Sequence, residues 1–152
     1  MSKQGQEPLG IRLMSALLQL LAEDAEDLAV LSAALQDAVA RVGDIKVESR
    51  ARRVTVSFNR YRWEKGGGER VRSALQVGSV LGVQARNLRR GARAAVIELL
   101  SLTFEPGEAP GGSLTLRFAG DGDLRMEVEC LDVVLADISE PWPTRSAPSH
   151  EA

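Results

Sequence analysis

The sequence is poor in the residues that most often carry chemistry, because it holds one cysteine, Cys130, and one histidine, His150. A single cysteine cannot form an intramolecular disulfide, and such scarcity is typical of the reducing cytoplasm. One histidine and one cysteine are too few for a zinc or other soft-metal site within one chain. At 152 residues the chain can bury a core without a disulfide or a metal, so we expect neither.

Long apolar runs are also missing. The longest, Leu9–Ala22, is interrupted by Arg12 and Gln19 and is shorter than the roughly 20 residues that a membrane-spanning helix needs. Acidic residues follow it, rather than the small residues of a cleavage site, which argues against a signal peptide. We therefore expect a cytoplasmic protein without membrane contact.

Nucleotide-binding and hydrolase motifs do not occur. Neither GxxxxGK followed by Ser or Thr nor GxGxxG is present, and Gly66–Gly68 lies between predicted strands, without a helix N-terminus to receive a phosphate. No nucleophile elbow surrounds a serine. Asp121–Asp123 resembles the start of a calcium loop, but Arg125 and Met126 occupy later ligand positions, so we predict a hairpin turn.

The two rare residues are not placed for catalysis. Cys130 shares strand parity with Met126 and Val128, which predicts a buried structural cysteine rather than a nucleophile. His150 lies in a polar tail that offers it no partner. We predict no catalytic residue, no metal site and no cofactor. Whether the protein is an enzyme stays open, with the balance against it.

What the chain does have is arginine, and its charge is segregated. Residues 1–40 carry a net charge of −4 and residues 94–152 a net charge of −8. Residues 41–93 hold 14 basic and 4 acidic side chains, a net charge of +10. Two interpretations stay open: basic and acidic strands pair within one sheet and cancel, or a basic face binds an anionic partner.

The densest basic stretch contains no acid and no strand-like alternation, so we predict that it is an exposed basic loop. The candidate ligand-binding residues are Arg86, Arg89, Arg90 and Arg93. Planar guanidinium groups suit bidentate recognition of phosphate or carboxylate. Tyr61 and Trp63 lie between further arginines and could stack on RNA bases, although their shared parity is also typical of a core. We predict that the arginines of residues 41–93 are mostly exposed.

Glu23–Asp44 has the pattern of an amphipathic helix with its own start and stop signals. Asp24 is the predicted N-cap, the helix is predicted over residues 25–40, and Gly43 is predicted to end it. The residues predicted to lie on its buried face are Leu28, Leu31, Leu35 and Ala38. Before it, Leu17–Ala22 suits a short strand or a helix end, and we favour the strand.

After Gly43 the apolar period changes to two, which predicts strands. The register that keeps one face apolar across a four-residue loop pairs Val47 with Val54, Ile45 with Val56 and Glu48 with Arg53. Beyond Phe58 the apolar phase slips by one residue, which predicts a β-bulge near Asn59–Arg60.

Later segments alternate in the same way. Val71–Ala85 is too long for one flat strand, so Gly78 or Gly82 is predicted to bend it. A three-residue hairpin loop is predicted at Asp121–Asp123, with Gly122 at the positive-φ position. That register would set Arg117 against Glu127, Phe118 against Met126 and Leu116 against Val128.

These elements predict an α+β fold with about seven mostly antiparallel strands, in a curved sheet or a small barrel, and one principal helix near the N-terminus. A pleckstrin-homology-like barrel is one form of it, although there the helix follows the strands. We expect a single domain over residues 17–140, an extension or disordered segment over residues 1–16, and a Pro- and Ser-containing tail over residues 141–152.

Several segments are similar to a family of small bacterial proteins, the domain-of-unknown-function family numbered 2948. The segments are AEDAEDLAVLSAALQDAV, RVGDI, FNRYRWE, SLTFEPGEAPGGSLTLRFAGDGDLRMEVECLD and WPTRSAPSHE. The resemblance runs from about Leu17 to Glu151 and implies a compact cytoplasmic domain. It implies no catalytic residue, because the family has no established activity.

We therefore expect a non-enzymatic binding or assembly protein that recognises a protein partner or another copy of itself. The alternative is a protein that binds an anionic ligand or RNA through its arginine-rich middle segment. Nucleic acid is the less favoured partner and stays open. Strong salt dependence of nucleic-acid binding would favour the alternative.

Overall fold

The computed structural model describes residues 17–65, 68–89 and 91–144. Their one α-helix is α1 (Ala25–Ala34). Their strands are β1 (Gln19–Ala22), β2 (Val39–Arg41), β3 (Ile45–Glu48), β4 (Arg53–Tyr61), β5 (Glu69–Val77), β6 (Val80–Arg86), β7 (Val96–Pro106), β8 (Gly112–Phe118), β9 (Asp123–Val128), β10 (Val133–Asp137) and β11 (Trp142–Pro143). The α+β class is confirmed. The predicted count of about seven strands was wrong, because the described residues form eleven.

The start of α1 follows from local chemistry. The side chain of Asp24 accepts a hydrogen bond from the backbone N–H of Asp27 (2.8 Å), as an N-cap does. The carboxylate of Asp27 in turn accepts from the backbone N–H of Glu23 (3.2 Å). These bonds satisfy N–H groups at the start of the helix, so the predicted N-cap is confirmed.

The predicted end of α1 was wrong. The helix ends at Ala34 rather than near residue 40, and Gly43 lies in a separate 3-10 helix, Val42–Asp44. Asp37 adopts φ 62°, and its backbone N–H donates to the carbonyl of Leu99 (3.0 Å). Backbone hydrogen bonds to β7 therefore replace those that a longer helix would have made. Leu35 and Ala38 are buried as predicted, but from outside the helix.

The β3–β4 hairpin has the predicted register. Ile45 pairs with Val56, Val47 with Val54 and Glu48 with Arg53. Arg53 donates two hydrogen bonds to the Glu48 carboxylate, at 2.9 and 3.2 Å.

The predicted bulge near Asn59–Arg60 was wrong. β4 pairs with β5 without interruption from Val54 to Tyr61, and the inward positions continue through Phe58 to Arg60. The apolar pattern slips because an arginine occupies a buried position of an unbroken strand.

The β8–β9 hairpin has its loop two residues earlier than predicted. The loop is Ala119–Asp121, and Gly120 (φ 86°) and Asp121 (φ 70°) take the left-handed conformations that we assigned to Gly122. Arg117 then faces Asp123 rather than Glu127, so opposite charges still meet. Both the predicted and the observed register pair Arg117 with an acidic residue. The charge pattern of the sequence therefore did not distinguish the two registers.

The strands form one open sheet in the order β1-β10-β5-β4-β2-β7-β8-β9-β6, with β3 paired to β4 and β11 paired to β5. Gly78 and Ser79 alone separate β5 from β6, yet β6 lies at the far end of this order. The sheet must therefore curve back on itself, as we expected of a curved sheet. The predicted break of the long Val71–Ala85 run falls at Gly78.

The core fills the inside of this curve and is covered by α1, which packs against β1 and β7. The Ser32 hydroxyl fixes the helix to β7 by accepting from the backbone N–H of Leu102 (3.1 Å). β11 lies in the segment that we assigned to the tail, and residues 1–16 lie outside the described part. Among the described helices, none has the length and apolar character needed to cross a membrane.

Candidate functional site

The structure describes three of the four candidate arginines. Arg86 is the last residue of β6 and donates to the Asp123 carboxylate (2.6 Å). Arg89 is exposed in the following loop, and the backbone carbonyl of Arg93 accepts from Gly43 (2.8 Å). Arg90 lies outside the described residues. Anion binding by this loop stays a prediction.

Two other arginines contradict the expectation of exposure. Arg60 is fully buried and Arg62 is 3% exposed, whereas Arg50, Arg52 and Arg89 are exposed as predicted. The side chain of Arg62 donates to Glu69 (2.6 Å). Arg60 and Arg62, which lie beside the two aromatic residues, are thus structural groups of the fold and not parts of an open nucleic-acid surface.

Arg60 is the centre of a buried ionic network. Its guanidinium donates to both oxygens of Asp137 (3.0 and 3.0 Å) and to both oxygens of Glu64 (3.0 and 2.8 Å). Ser73 donates to Asp137 (2.6 Å), whose other oxygen accepts from the backbone N–H of Leu18 (2.8 Å). The network therefore joins β4, β5 and β10 with the start of β1.

In the network, hydrogen bonds between opposite charges outweigh the effect of burial on the pKa values of Arg60 and Glu64. Burial by itself disfavours the charge on Arg60, but hydrogen bonds to Glu64 and Asp137 raise the pKa of the guanidinium. Burial also disfavours the charge on Glu64, yet the hydrogen bond from Arg60 holds the pKa of that carboxyl below its ordinary value. Both groups are charged at neutral pH, which suits a permanent ionic contact.

A pH dependence follows for the variant Glu64→Gln. Because the folded-state pKa of Glu64 lies below the ordinary 4.5, its contribution to stability is present above that pH and is lost as the pH falls through the folded-state pKa. We expect Glu64→Gln to be less stable than the wild type at pH 7, with the difference shrinking as the pH drops below about 4.5. Urea unfolding at several pH values measures it, and a difference independent of pH would contradict the assignment.

A depression of about 940 Å³ lies on the outward side of β6, β9, β8 and β7. We define the charged face by eight of its lining residues: Gln84, Arg86, Thr103, Glu105, Thr115, Arg117, Asp123 and Arg125. Strand pairing sets them in rows, since Asp123 lies between Arg86 and Arg117, while Arg125 lies between Gln84 and Thr115. All come from alternate positions of their strands.

The charges of this face are of both signs. Three guanidinium groups accompany two carboxylates, and the hydrogen bond to Asp123 raises the pKa of Arg86. Arg125 donates to Glu127 (3.1 Å) and to Ser113 (3.1 Å). The sequence analysis assigned Arg86 to a basic loop and Asp123 to a hairpin loop, and it missed the face because β6 and β9 are far apart in the chain.

Cys130 and His150 are the two residues that the sequence predicts to be chemically inert. Cys130 is half-buried rather than buried, because the inward parity switches between Val128 and Leu131, and its Sγ lies 3.7 Å from the Ser79 hydroxyl. His150 falls outside the described residues. Within the part of the chain that the structure describes, no three His, Cys, Asp or Glu side chains are grouped to hold a metal ion.

Residues 18–150 match the model of a family described as protein of unknown function (DUF2948). The chain belongs to this family. The match begins one residue before β1 and extends past β11, so it takes in α1, the curved sheet and the charged face of this DUF2948 protein. It confirms the resemblance seen in the sequence and brings no activity with it. No curated protein and no solved structure matches the chain.

Proposed function

We propose that this DUF2948 protein is a non-enzymatic binding protein that recognises a protein partner through the charged face. The observation that carries the proposal is the arrangement of opposite charges in rows across β6, β9 and β8, with Asp123 between Arg86 and Arg117. Protein partners recognise one another through complementary potentials, which a patterned surface of both signs can provide.

The same pattern disfavours nucleic acid as the partner of this face. Phosphates are uniformly negative, so a nucleic-acid surface gains from arginines without interleaved acids. Asp123 and Glu105 lie among the arginines of the charged face, and Asp123 already accepts two hydrogen bonds from Arg86. A protein partner can place an acid opposite Arg117 and a base opposite Glu105.

The shape of the face also fits binding better than catalysis. The lining residues that the structure describes include no histidine, cysteine or serine, and Asp123, one of the two carboxylates, already accepts two hydrogen bonds from Arg86. The depression is wide and open to solvent, whereas small-molecule sites enclose most of their ligand.

The double variant Arg117→Glu with Arg125→Glu tests this proposal. We expect it to lose a partner that the wild type retains, with affinity lowered at least about tenfold and unfolding free energy lowered by at most about 2 kcal/mol, because both side chains are exposed although the new carboxylates face Asp123 and Glu127. Affinity capture from a native lysate with identified proteins, then titration of the purified partner, measures the affinity, and urea denaturation measures the unfolding free energy.

Arg50→Glu is the matched control, since Arg50 is an exposed arginine outside the charged face. A partner lost equally with Arg50→Glu would mean that only overall charge matters.

The variant Arg89→Glu tests the alternative function. If labelled single-stranded RNA binds the wild type with steep salt dependence and Arg89→Glu weakens it, the anion-binding loop is the better account.

A further inference from the structure

β3 and β6 each have one strand edge without a ladder partner in the described part of the chain. β3 pairs with β4 alone, and β6 pairs with β9 alone. The curve of the sheet turns these edges toward each other, and residues of both strands line two adjoining cavities of about 220 and 290 Å³. We call this gap the edge slot. The apolar residues that define it are Ile45, Val47, Leu81, Val83, Ala85 and Leu88.

The edge slot is closed at one end and unpaired along its length. At the closed end the backbone N–H of Val80 donates to the carbonyl of Arg52 (2.9 Å). From there onward no ladder joins β3 to β6 among the described residues. An unpaired strand edge offers N–H and C=O groups that a further strand can bond. Since paired strands lie about 4.8 Å apart, a strand inserted between two edges needs about twice that separation, and the two cavities lined by β3 and β6 are the space that it would occupy.

Several apolar side chains at the edge slot are exposed, because no neighbouring strand of the described chain covers them. Val47 is 38% exposed, whereas Val54, its partner across the hairpin on the same face, is 1% exposed. Ala85 is exposed while its partner Leu124 is 1% exposed. Leu81, at the irregular start of β6, is 62% exposed. These are inward-facing or apolar groups that a strand in the slot would cover.

The charges around the slot define the chemistry of the occupant. Three arginines line it, Arg52, Arg53 and Arg93, against the single carboxylate of Glu48. Arg53 donates to Glu48 and Arg52 forms an ion pair with Glu129, so three arginines meet two carboxylates and Arg93 supplies the positive excess of the rim. An acidic segment complements this rim. A second copy that presented its own β3 or β6 edge would bring Arg93 with it, and like charges would oppose that pairing.

We infer that the edge slot binds an extended acidic segment of a partner protein by strand addition. The segment bonds the free edges of β3 and β6 through its backbone, places apolar side chains at alternate positions over Val47 and Ala85, and directs acids toward the arginines. This site is separate from the charged face, because it uses the edge of β6 rather than its outward side chains.

The probe is a pool of labelled eight-residue peptides with Val, Ile or Leu at alternate positions and Asp or Glu between them, titrated against the full chain at 0.15 M salt. We expect members of the pool to bind. Methylating alternate backbone nitrogens of a bound peptide should weaken it at least about tenfold, because the side chains stay and the N–H donors are lost. Peptide binding should also slow amide exchange in β3 and β6.

Two variants locate the site without disturbing the core. Leu81→Glu and Arg93→Glu change exposed side chains of the slot and should each weaken the acidic peptide at least about tenfold. The double variant Arg117→Glu with Arg125→Glu should bind it as the wild type does, which separates this proposal from the charged face.

Four results would overturn the inference. They are the absence of any binder at about 1 mM peptide, equal affinity after N-methylation, exchange protection confined to other strands, and a dimer of the chain that the peptide dissociates. The last would assign the slot to a second copy.

Discussion

Replacing Asp137 by Asn is expected to lower the unfolding free energy by about 3–5 kcal/mol, because it leaves the buried charge of Arg60 without its fully buried partner. The side chains of Arg60 and Asp137 are both 0% exposed, and two hydrogen bonds of 3.0 Å join them. The asparagine amide keeps the shape but loses the charge and presents an N–H group to a donor. Urea denaturation with an unchanged slope measures the loss.

Asp123→Asn is the matched control for that substitution. Asp123 also pairs with an arginine, but the side chain of Arg86 is 61% exposed and water can solvate its charge. Its loss should cost about 0–1 kcal/mol. The double variant Arg60→Met with Asp137→Leu should be more stable than Asp137→Asn alone, since no unpaired charge stays buried. Equal losses for Asp137→Asn and Asp123→Asn would refute the role given to the network.

Replacing Leu31 by Ala is expected to cost about 2–5 kcal/mol through lost burial and the cavity left behind. Leu31 is 1% exposed and belongs to the face of α1 that packs on the sheet. The range reflects how far β1 and β7 can move into the space. The shift in the urea midpoint between the wild type and Leu31→Ala, multiplied by the denaturant slope, gives the loss.

Val30→Ala is the control, because it shortens the neighbouring side chain on the exposed side of the same helix. Val30 is 54% exposed, so its change should stay within about 0.5 kcal/mol. If Leu31→Ala left the midpoint unchanged, α1 would not be packed on the sheet as described.

The sequence predicted the candidate sites only in part. It placed Arg86 in an exposed loop, whereas Arg86 ends β6 on the charged face; that face needs β6 beside β9, and those strands are separated by two others in the chain. It treated Arg60 as a candidate for RNA binding because nothing nearby in the sequence marks it as buried. Its partner Asp137 lies 77 positions further along the chain.

Elements stabilised by neighbours in the chain were predictable. The capping of α1 by Asp24 and the register of the β3–β4 hairpin depend on residues within a few positions of each other. The end of α1 was not predictable in this way, because the backbone of Asp37 bonds to Leu99. The β8–β9 loop was missed for a different reason, since two registers offered similar charge pairing and the left-handed residues decided between them.

By itself, then, the sequence determined the α+β class, the helix start, the first hairpin and membership in the DUF2948 family, because each is written in local spacing or in motif order. The tertiary structure alone decided which arginines are buried, which strands share the charged face and which edges stay unpaired. Those features depend on contacts between segments that are distant in the chain. The curve of the sheet brings these segments together, so no single stretch of residues determines the contacts.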